Sequence, residues 1–543
     1  MTSSNASGLG ISAGTTVDVA VVGAGFAGMY LLHRLRNQGF SVRVFEAASG
    51  VGGTWYWNRY PGARCDIRSI DYSYSFDPEL EQEWEWSEKF ATQPELLQYA
   101  NHVADRHDLR RDIQFDTRLE TARWGEIERR WHLSMSTGDT VSCRHYVMAT
   151  GCLSVPKQSE FNGVSDFAGD VHVTGRWPHD PVDFTGLSVG VIGTGSSAIQ
   201  SIPVIAAQAS SVTIFQRTPN FSMPAFNGPN DPTEVAQIKE TYRDYRHQQR
   251  YSGGGVVQVT PTKSAMEDSY DERQVKFEAG WQSGSLGGIT GAYTDIRVNQ
   301  SSSNTAADFV HRKIRSIVDD PVVANKLCPT NHPIGTKRPC LDTDYYQTFN
   351  EDHVELVDLL ETPIVKVTQS GIETSAGSFD LDVIVMATGF DAMTGAIAAV
   401  DIRGIDNTQL AHAWKDGPQT YLGLCVSGFP NLFLITGPGS PSVLSNMLVS
   451  IEQHVDFVVD CIAHLRATNH ATIEADESAQ TDWVQHVVEV GDTTLYPKAN
   501  SWYMGANVPG KPRVMLPYVG GVGAYRLICE DVVADNYRGF TLD

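Results

Sequence analysis

Two short glycine turns carry the first sign of chemistry in the chain. Gly23-Ala-Gly25-Phe-Ala27-Gly28 and Gly193-Thr194-Gly195-Ser196-Ser197-Ala198 each let the backbone approach a pyrophosphate, which then sits on the positive N-terminus of the following helix. After the second turn that helix opens with Ile199 and Gln200. The residue that discriminates between nucleotides stands at the end of the next strand. In the first copy it is Glu46, whose carboxylate accepts hydrogen bonds from a ribose hydroxyl and repels a 2′-phosphate. That suits the adenosine half of FAD, or NAD. The same offset in the second copy gives Gln216, followed by Arg217 and Thr218. No acid is present there, and a guanidinium is available to pair with a 2′-phosphate, a pattern that favours NADPH. A chain with both kinds of site is expected to carry FAD and use NADPH.

Just past the first unit runs the segment GGTWYWNRYPGARCD, residues 52–66. Glycines followed by clustered aromatics make a rigid apolar shelf suited to an isoalloxazine ring, and Asp66 at its end is a candidate buried carboxylate. A packed aromatic core would explain the same residues. Upstream of the second turn, FAGDVHVTGRWP (residues 167–178) holds His172 and Trp177. A lone histidine on a connection between domains reads first as a structural hydrogen-bonder.

The elements that must position these residues follow from the patterning. Residues 17–22 and 41–45 are β-branched runs of buried parallel strands, with a helix between them carrying Tyr30, Leu31, Leu32 and Leu35 on one side. Strand, helix and strand recur at 187–192, 199–207 and 211–216. The near-twins YVMATG (146–151) and IVMATG (384–389) are strands ending in a glycine where the chain passes between nucleotide domains. The fold class is therefore α/β, with two Rossmann-like dinucleotide-binding domains and a mainly helical insertion. Residues 1–150 and 388–543 are assigned to a discontinuous FAD-binding domain, 151–224 and 336–387 to an NADP-binding domain, and 225–335 to the insertion. Helical spacing marks 234–249 and 305–327, with Thr305 and Asp308 as a capping pair. The Glu/Trp-rich stretch 79–88 reads as a solvated face anchored by Trp84 and Trp86.

Composition narrows the function further. Lysine and arginine number 41 against 64 acids in 543 residues, a formal charge of −23, which repels phosphate backbones and anionic lipid heads. Nucleic acid and membrane surfaces are poor partners. No run of about 18 apolar residues could span a bilayer, and the Ser/Gly/Thr-rich N-terminus lacks a secretion signal. The eight cysteines form no CxxC pair, which disfavours a disulfide scaffold, a zinc ribbon or a dithiol reductase. No metal site is expected. The reading is a cytoplasmic enzyme acting on a small molecule.

Phe167, Gly169, His172, Trp177 and Pro178 match the FxGxxxHxxxW-Pro fingerprint of the type I Baeyer–Villiger monooxygenases. GGTWYWNRYPGARCD resembles that family's second signature, and the likeness runs over nearly the whole chain. Stretches such as WPHDPVDF, GSPSVLSNMLVSIEQHV and SWYMGANVPGKPRV look most like the phenylacetone and steroid monooxygenases. The resemblance implies conversion of ketones to esters or lactones by O₂ and NADPH through a C4a-peroxyflavin, in a monomer. It implies that Glu46, Thr54, Trp55, Tyr56, Trp57, Arg64, Cys65, Asp66, Ile67 and Tyr72 contact or flank FAD. It implies that residues 194–200, Arg217, Thr218 and Lys337 hold NADP, and that Arg338 is the catalytic arginine, oriented by Asp66. Met447 would lie beside flavin and substrate, Trp502 would fold over the nicotinamide nucleotide from a mobile loop, and His172 would serve domain rotation. Linear aliphatic or aryl-aliphatic ketones are favoured. A flavoenzyme oxidising soft N or S atoms, or an NADPH-sensing flavoprotein without catalysis, would share the cofactors but not need the Asp66/Arg338 pair.

Overall fold

The computed structural model describes residues 14–543; the Ser/Gly/Thr-rich start, residues 1–13, lies outside them. Two parallel-stranded layers organise the chain. In the first sheet, Thr15–Val22 lies between Val42–Phe45 and Thr140–Met148, parallel to both. Leu432–Leu434 returns from late in the chain to pair in parallel with Thr140–Met148. Leu119–Gly125 and Arg130–Met135 extend the sheet with antiparallel strands. The second sheet is wholly parallel, in the order Val354–Asp358, Ser211–Gln216, Ser188–Ile192, Val383–Met386, Asp170–Val173.

These strands form because both faces are covered. Val19, Val21 and Val44 are buried with Leu31 and Leu35 of the helix Phe26–Asn37 and with Val455 and Val458 of the helix Met447–Thr468. Val189 and Val191 share a second core with Ile199 and Ile202 of the helix Ser196–Ala206. That core continues into residues 232–327, where five α-helices and no strand occur. Phe277, Trp281, Phe309 and Ile314 reach into it.

Local details correct three sequence expectations. The helix expected over 305–327 is two helices, Gln300–Ile317 and Pro321–Leu327. The first starts at the N-cap Asn299, whose side chain accepts from the amides of Ser301 and Ser302. Thr305 therefore lies inside the helix and turns its hydroxyl back to the Ser302 carbonyl, as interior threonines do. Next, the face at 79–88 is not solvated throughout. Glu81 is buried against Arg246 of the helix Tyr242–Tyr251, at 2.7 Å, while Trp84 and Trp86 pack on Tyr99. Finally, His172 is not on a connection. It sits within the edge strand Asp170–Val173, opposite Val385.

Candidate active site

The carboxyl ends of strands from both sheets open onto one cavity of about 1190 Å³. Its wall includes Gly23, Glu46 and Thr150 from the first sheet and Gly193, Arg217 and Thr388 from the second. Ligands of open α/β sheets bind at this edge, and the volume exceeds the roughly 300–1,000 Å³ typical of a site for one small ligand. The space suits two dinucleotides meeting between the sheets.

The first cradle fits the adenosine and pyrophosphate of FAD. Gly23 has φ 104°, and a Cβ there would lie 2.5 Å from the Ala149 carbonyl oxygen, so only glycine can make the turn. The helix Phe26–Asn37 has no side-chain cap and no acid in its first turn, which leaves its N-terminal amides free for an anion. Glu46 is buried and accepts from the amides of Ala24 at 2.6 Å and Ala48 at 2.8 Å. One amide on each oxygen fixes the carboxylate and leaves lone pairs for ribose hydroxyls. Burial, outweighing those two bonds, raises its pKa. Trp55 donates from Nε1 to the Tyr72 hydroxyl at 3.3 Å, and both rings face the same wall as Thr54 and Trp57.

The second cradle fits a 2′-phosphorylated nucleotide. The helix Ser196–Ala206 also lacks a side-chain cap and a first-turn acid. Arg217 and Lys337 both line the cavity, and neither forms an ion pair among the described residues. Burial, then the charge of Arg217, lowers the pKa of Lys337. Two adjacent, unneutralised cations are what a phosphate dianion requires. Thr194 donates to the Thr218 carbonyl at 2.7 Å, which ties the glycine turn to the cationic strand end.

Between the cradles lies a fixed positive charge. Arg338 donates from Nε and Nη2 to the two oxygens of Asp66, both at 2.8 Å, and from Nη1 to the Val443 carbonyl at 2.8 Å. The hydroxyl of buried Tyr503 and the guanidinium interact electrostatically. Burial works against the charge, but Asp66 outweighs it and raises the Arg338 pKa well above its ordinary value. The guanidinium still has N–H groups to spare, and its side chain is 25% exposed. Arg64, on the same cavity wall, is paired with Glu88 at 3.3 Å. Ile67, Val443, Met447, Ile451 and Trp502 make the nearby wall largely apolar. Such a site can hold an uncharged molecule against a permanent cation, shielded from water.

Most of the residues singled out from sequence reach this cavity, and a few do not. Tyr56 turns away to bond Ser49 at 2.6 Å and to pack against Trp57 and His179. Gly28 is needed for close packing, since a Cβ there would lie 1.8 Å from the Gly23 carbonyl oxygen. Ala198 and Ile199 face the core because the helix turns them from the nucleotide side. Gln200 lines the wall, but its amide is engaged by the Tyr60 hydroxyl at 2.9 Å and the Arg64 carbonyl at 3.1 Å, bridging the two units. Phe167, Gly169, His172 and Trp177 lie off the cavity wall. Trp177 packs on His172 with centroids 5.1 Å apart, and the motif leads into Gly175 and Arg176, which do reach the cavity.

Sequence reasoning missed Tyr503 and the anchoring of its loop. Only its place beside Trp502 hinted at it. Asn507 donates to the Phe390 carbonyl at 2.8 Å, and Lys511 donates to Asp391 at 2.7 Å and the Ala392 carbonyl at 2.8 Å. Trp502 and residues 506–509 thereby close one side of the cavity.

Comparison with known proteins agrees with this geometry. Residues 21–81 match the family model of an NAD(P)-binding Rossmann-like domain. The acetone monooxygenase (methyl acetate-forming) of Gordonia sp. (strain TY-5) is 41% identical over 531 residues, covering 97% of this chain and 99% of that protein. The cyclohexanone 1,2-monooxygenase of Acinetobacter sp. is 38% identical over 530 residues, with 97% and 96% covered. The structure of an oxidized steroid monooxygenase bound to NADP superposes with a TM-score of 0.93 at 52% identity, over 97% of this chain and 99% of that one. OTEMO in complex with FAD and NADP gives 0.93 at 38% identity, again with 97% and 99% covered. With two dinucleotide cradles and relatives aligned end to end, the chain belongs to the type I Baeyer–Villiger monooxygenases, NADPH-dependent flavoenzymes that bind FAD and NADP.

Proposed function

We propose that this enzyme converts uncharged ketones, preferentially linear aliphatic or aryl-aliphatic ones, to esters, with Arg338 as the catalytic residue and Asp66 as the residue that orients it. The observation that carries the reading is the two-bond fork between Arg338 and Asp66 facing the apolar wall of Val443, Met447 and Trp502. FAD, reduced by NADPH, supplies activated oxygen when both nucleotides are bound. Arg338 then holds a charge that cannot be lost at working pH against the oxygen on which negative charge develops as the carbonyl is attacked. Asp66 keeps the guanidinium plane fixed through both bonds. Trp502 and its loop exclude water from the reacting groups.

The cofactors divide along the two sheets. Glu46, the first glycine turn and the shelf of Thr54, Trp55, Trp57, Asp66 and Tyr72 hold FAD, within a unit of residues 1–150 and 388–543. Arg217, Thr218 and Lys337 hold the 2′-phosphate of NADP, within 151–224 and 336–387. Residues 225–335 form the helical insertion.

The uncharged-substrate part rests on the apolar wall beside Arg338, with Arg64 paired to Glu88 and Arg217 and Lys337 assigned to the 2′-phosphate. The linear preference draws on the acetone-oxidising relative. Relatives named for cyclohexanone and steroids show that ring ketones are handled within the same family. Turnover of 2-octanone, 4-phenyl-2-butanone, cyclohexanone and a keto acid, with ester measured under ¹⁸O₂, tests the proposal. The first two are expected to give labelled ester with the highest kcat/KM. A preference for cyclohexanone overturns the subclass, and turnover of the keto acid alone overturns the reading of the pocket.

A further inference from the structure

The strand Leu432–Leu434 ends beside Met148, and Thr436, two residues on, lies on the cavity wall at the carboxyl edge of the first sheet. Its φ is 58°, the left-handed region, where a β-branched side chain crowds its own backbone. Such a conformation persists only where the surroundings over-determine it, and it concentrates at functional sites. The hydrogen bonds around the following residues tie down Pro438, Gly439 and Ser440 through Thr420, Trp483, Leu516 and Tyr518. They do not reach the Thr436 amide.

Among the described residues that amide has one partner. It donates to Nδ1 of His454 at 3.0 Å, and His454 is fully buried in the helix Met447–Thr468. Because Nδ1 accepts, the imidazole is neutral with its proton on Nε2. Burial, aided by the charge of Arg526, pushes its pKa down to about 3. Nε2 has no hydrogen-bond partner among the described residues. Burying an imidazole with half its polar capacity unmet costs free energy, and an apolar side chain would fill the same core more cheaply. The ring's one polar contact is therefore the reason to look for its role at Thr436.

We propose that His454 is a positioning residue that holds Thr436 in its left-handed conformation, and so sets the shape of the wall against which FAD packs. The proposal rests on the assignment of FAD to the first sheet. His454 itself touches neither FAD nor ketone; it acts through one backbone amide.

The test is FAD affinity, with the absorption spectrum of the bound flavin, in purified full-length variants. His454→Leu removes the acceptor and is expected to weaken FAD binding about tenfold or more and to shift the flavin spectrum. His454→Asn places an amide oxygen where Nδ1 was and is expected to stay close to wild type. The decisive arm is Thr436→Gly, since glycine adopts this φ unaided. The double variant Thr436→Gly/His454→Leu is expected to match Thr436→Gly alone in affinity and spectrum. A general packing role for His454 would leave the double variant as impaired as His454→Leu, and that result overturns the proposal, as does a His454→Leu enzyme with wild-type affinity. If His454→Leu does not fold, recovery of folded, FAD-loaded double variant supports the proposal and continued failure overturns it. Failure of the wild type to retain FAD would count against the cofactor assignment itself, a result distinct from a failure confined to these variants.

Discussion

Arg338 and Asp66 stand far apart in sequence and meet through two parallel hydrogen bonds. No local spacing announces such a pair. Asp66 could be suspected from the aromatic run before it, whereas Arg338 was legible only through resemblance to a family, because its partner is supplied by tertiary structure. Glu46 and Arg217 are different: each stands at a fixed offset from its glycine turn, so its place followed from the chain alone. Gln200 shows the limit of that logic, since its amide is taken up by Tyr60 and Arg64. The cationic pair makes a residue-level prediction. Arg217→Ala loses charge-assisted bonds worth about 1.5–3 kcal/mol, and its kcat/KM for NADPH should fall by one to two orders of magnitude while that for NADH changes little. Equal kcat/KM for the two nucleotides in the wild-type enzyme would remove Arg217 from the 2′-phosphate site.

Strands, glycine turns and the helices after them were readable because period and punctuation agree there, as in Thr15–Val22 followed by Gly23. Caps were not. Thr305 and Asp308 have the right residue types, but Asn299 begins the helix six residues before Thr305 and binds two amides. Asn299→Ala should therefore cost about 1 kcal/mol of stability in thermal denaturation, and Thr305→Ala far less; the reverse order would return the cap to Thr305. The loop after Trp502 was readable as a family feature, without the Lys511–Asp391 contact that fastens it. Lys511→Ala should loosen the loop and let water in. More NADPH is then consumed per ester formed, with hydrogen peroxide making up the difference. An unchanged ratio of ester to NADPH would mean that this contact does not hold the loop closed.

At the scale of the molecule, two sheets share one cavity, and Arg338 finds its partner Asp66 at a sequence separation of 272. That convergence was legible as two nucleotide units in one chain, but how their edges face one another depends on long-range packing that no sequence window contains. The interior also sets a pH response. Burial holds His145, His332 and His454 neutral, with pKa values near 3 against an ordinary 6.5. The unfolded chain takes up protons at these sites before the folded one does, so their contribution to stability is full above pH 6.5 and is lost as pH falls towards 3. Asp342, raised by burial to about 6, works in the opposite sense over pH 4–6 and offsets part of the loss. The melting temperature should fall steadily below pH 6.5, and His145→Gln should flatten that slope. A slope unchanged by His145→Gln would show that this imidazole is not buried neutral.

On the proposed mechanism, a guanidinium held by Asp66 is needed for oxygen transfer and not for cofactor reduction. Hydride transfer from NADPH requires only that two rings meet; charge developing on the reacting oxygen requires a donor fixed beside it. Rapid mixing of Arg338→Ala with NADPH, followed by air and ketone, separates the two. Flavin bleaching is expected at close to the wild-type rate, with ester formation down by about 10²–10³. Arg338→Lys should recover little, since an ammonium cannot occupy both oxygens of Asp66 in one plane. Ester formation by Arg338→Ala at near the wild-type rate would mean that oxygen transfer does not depend on this guanidinium.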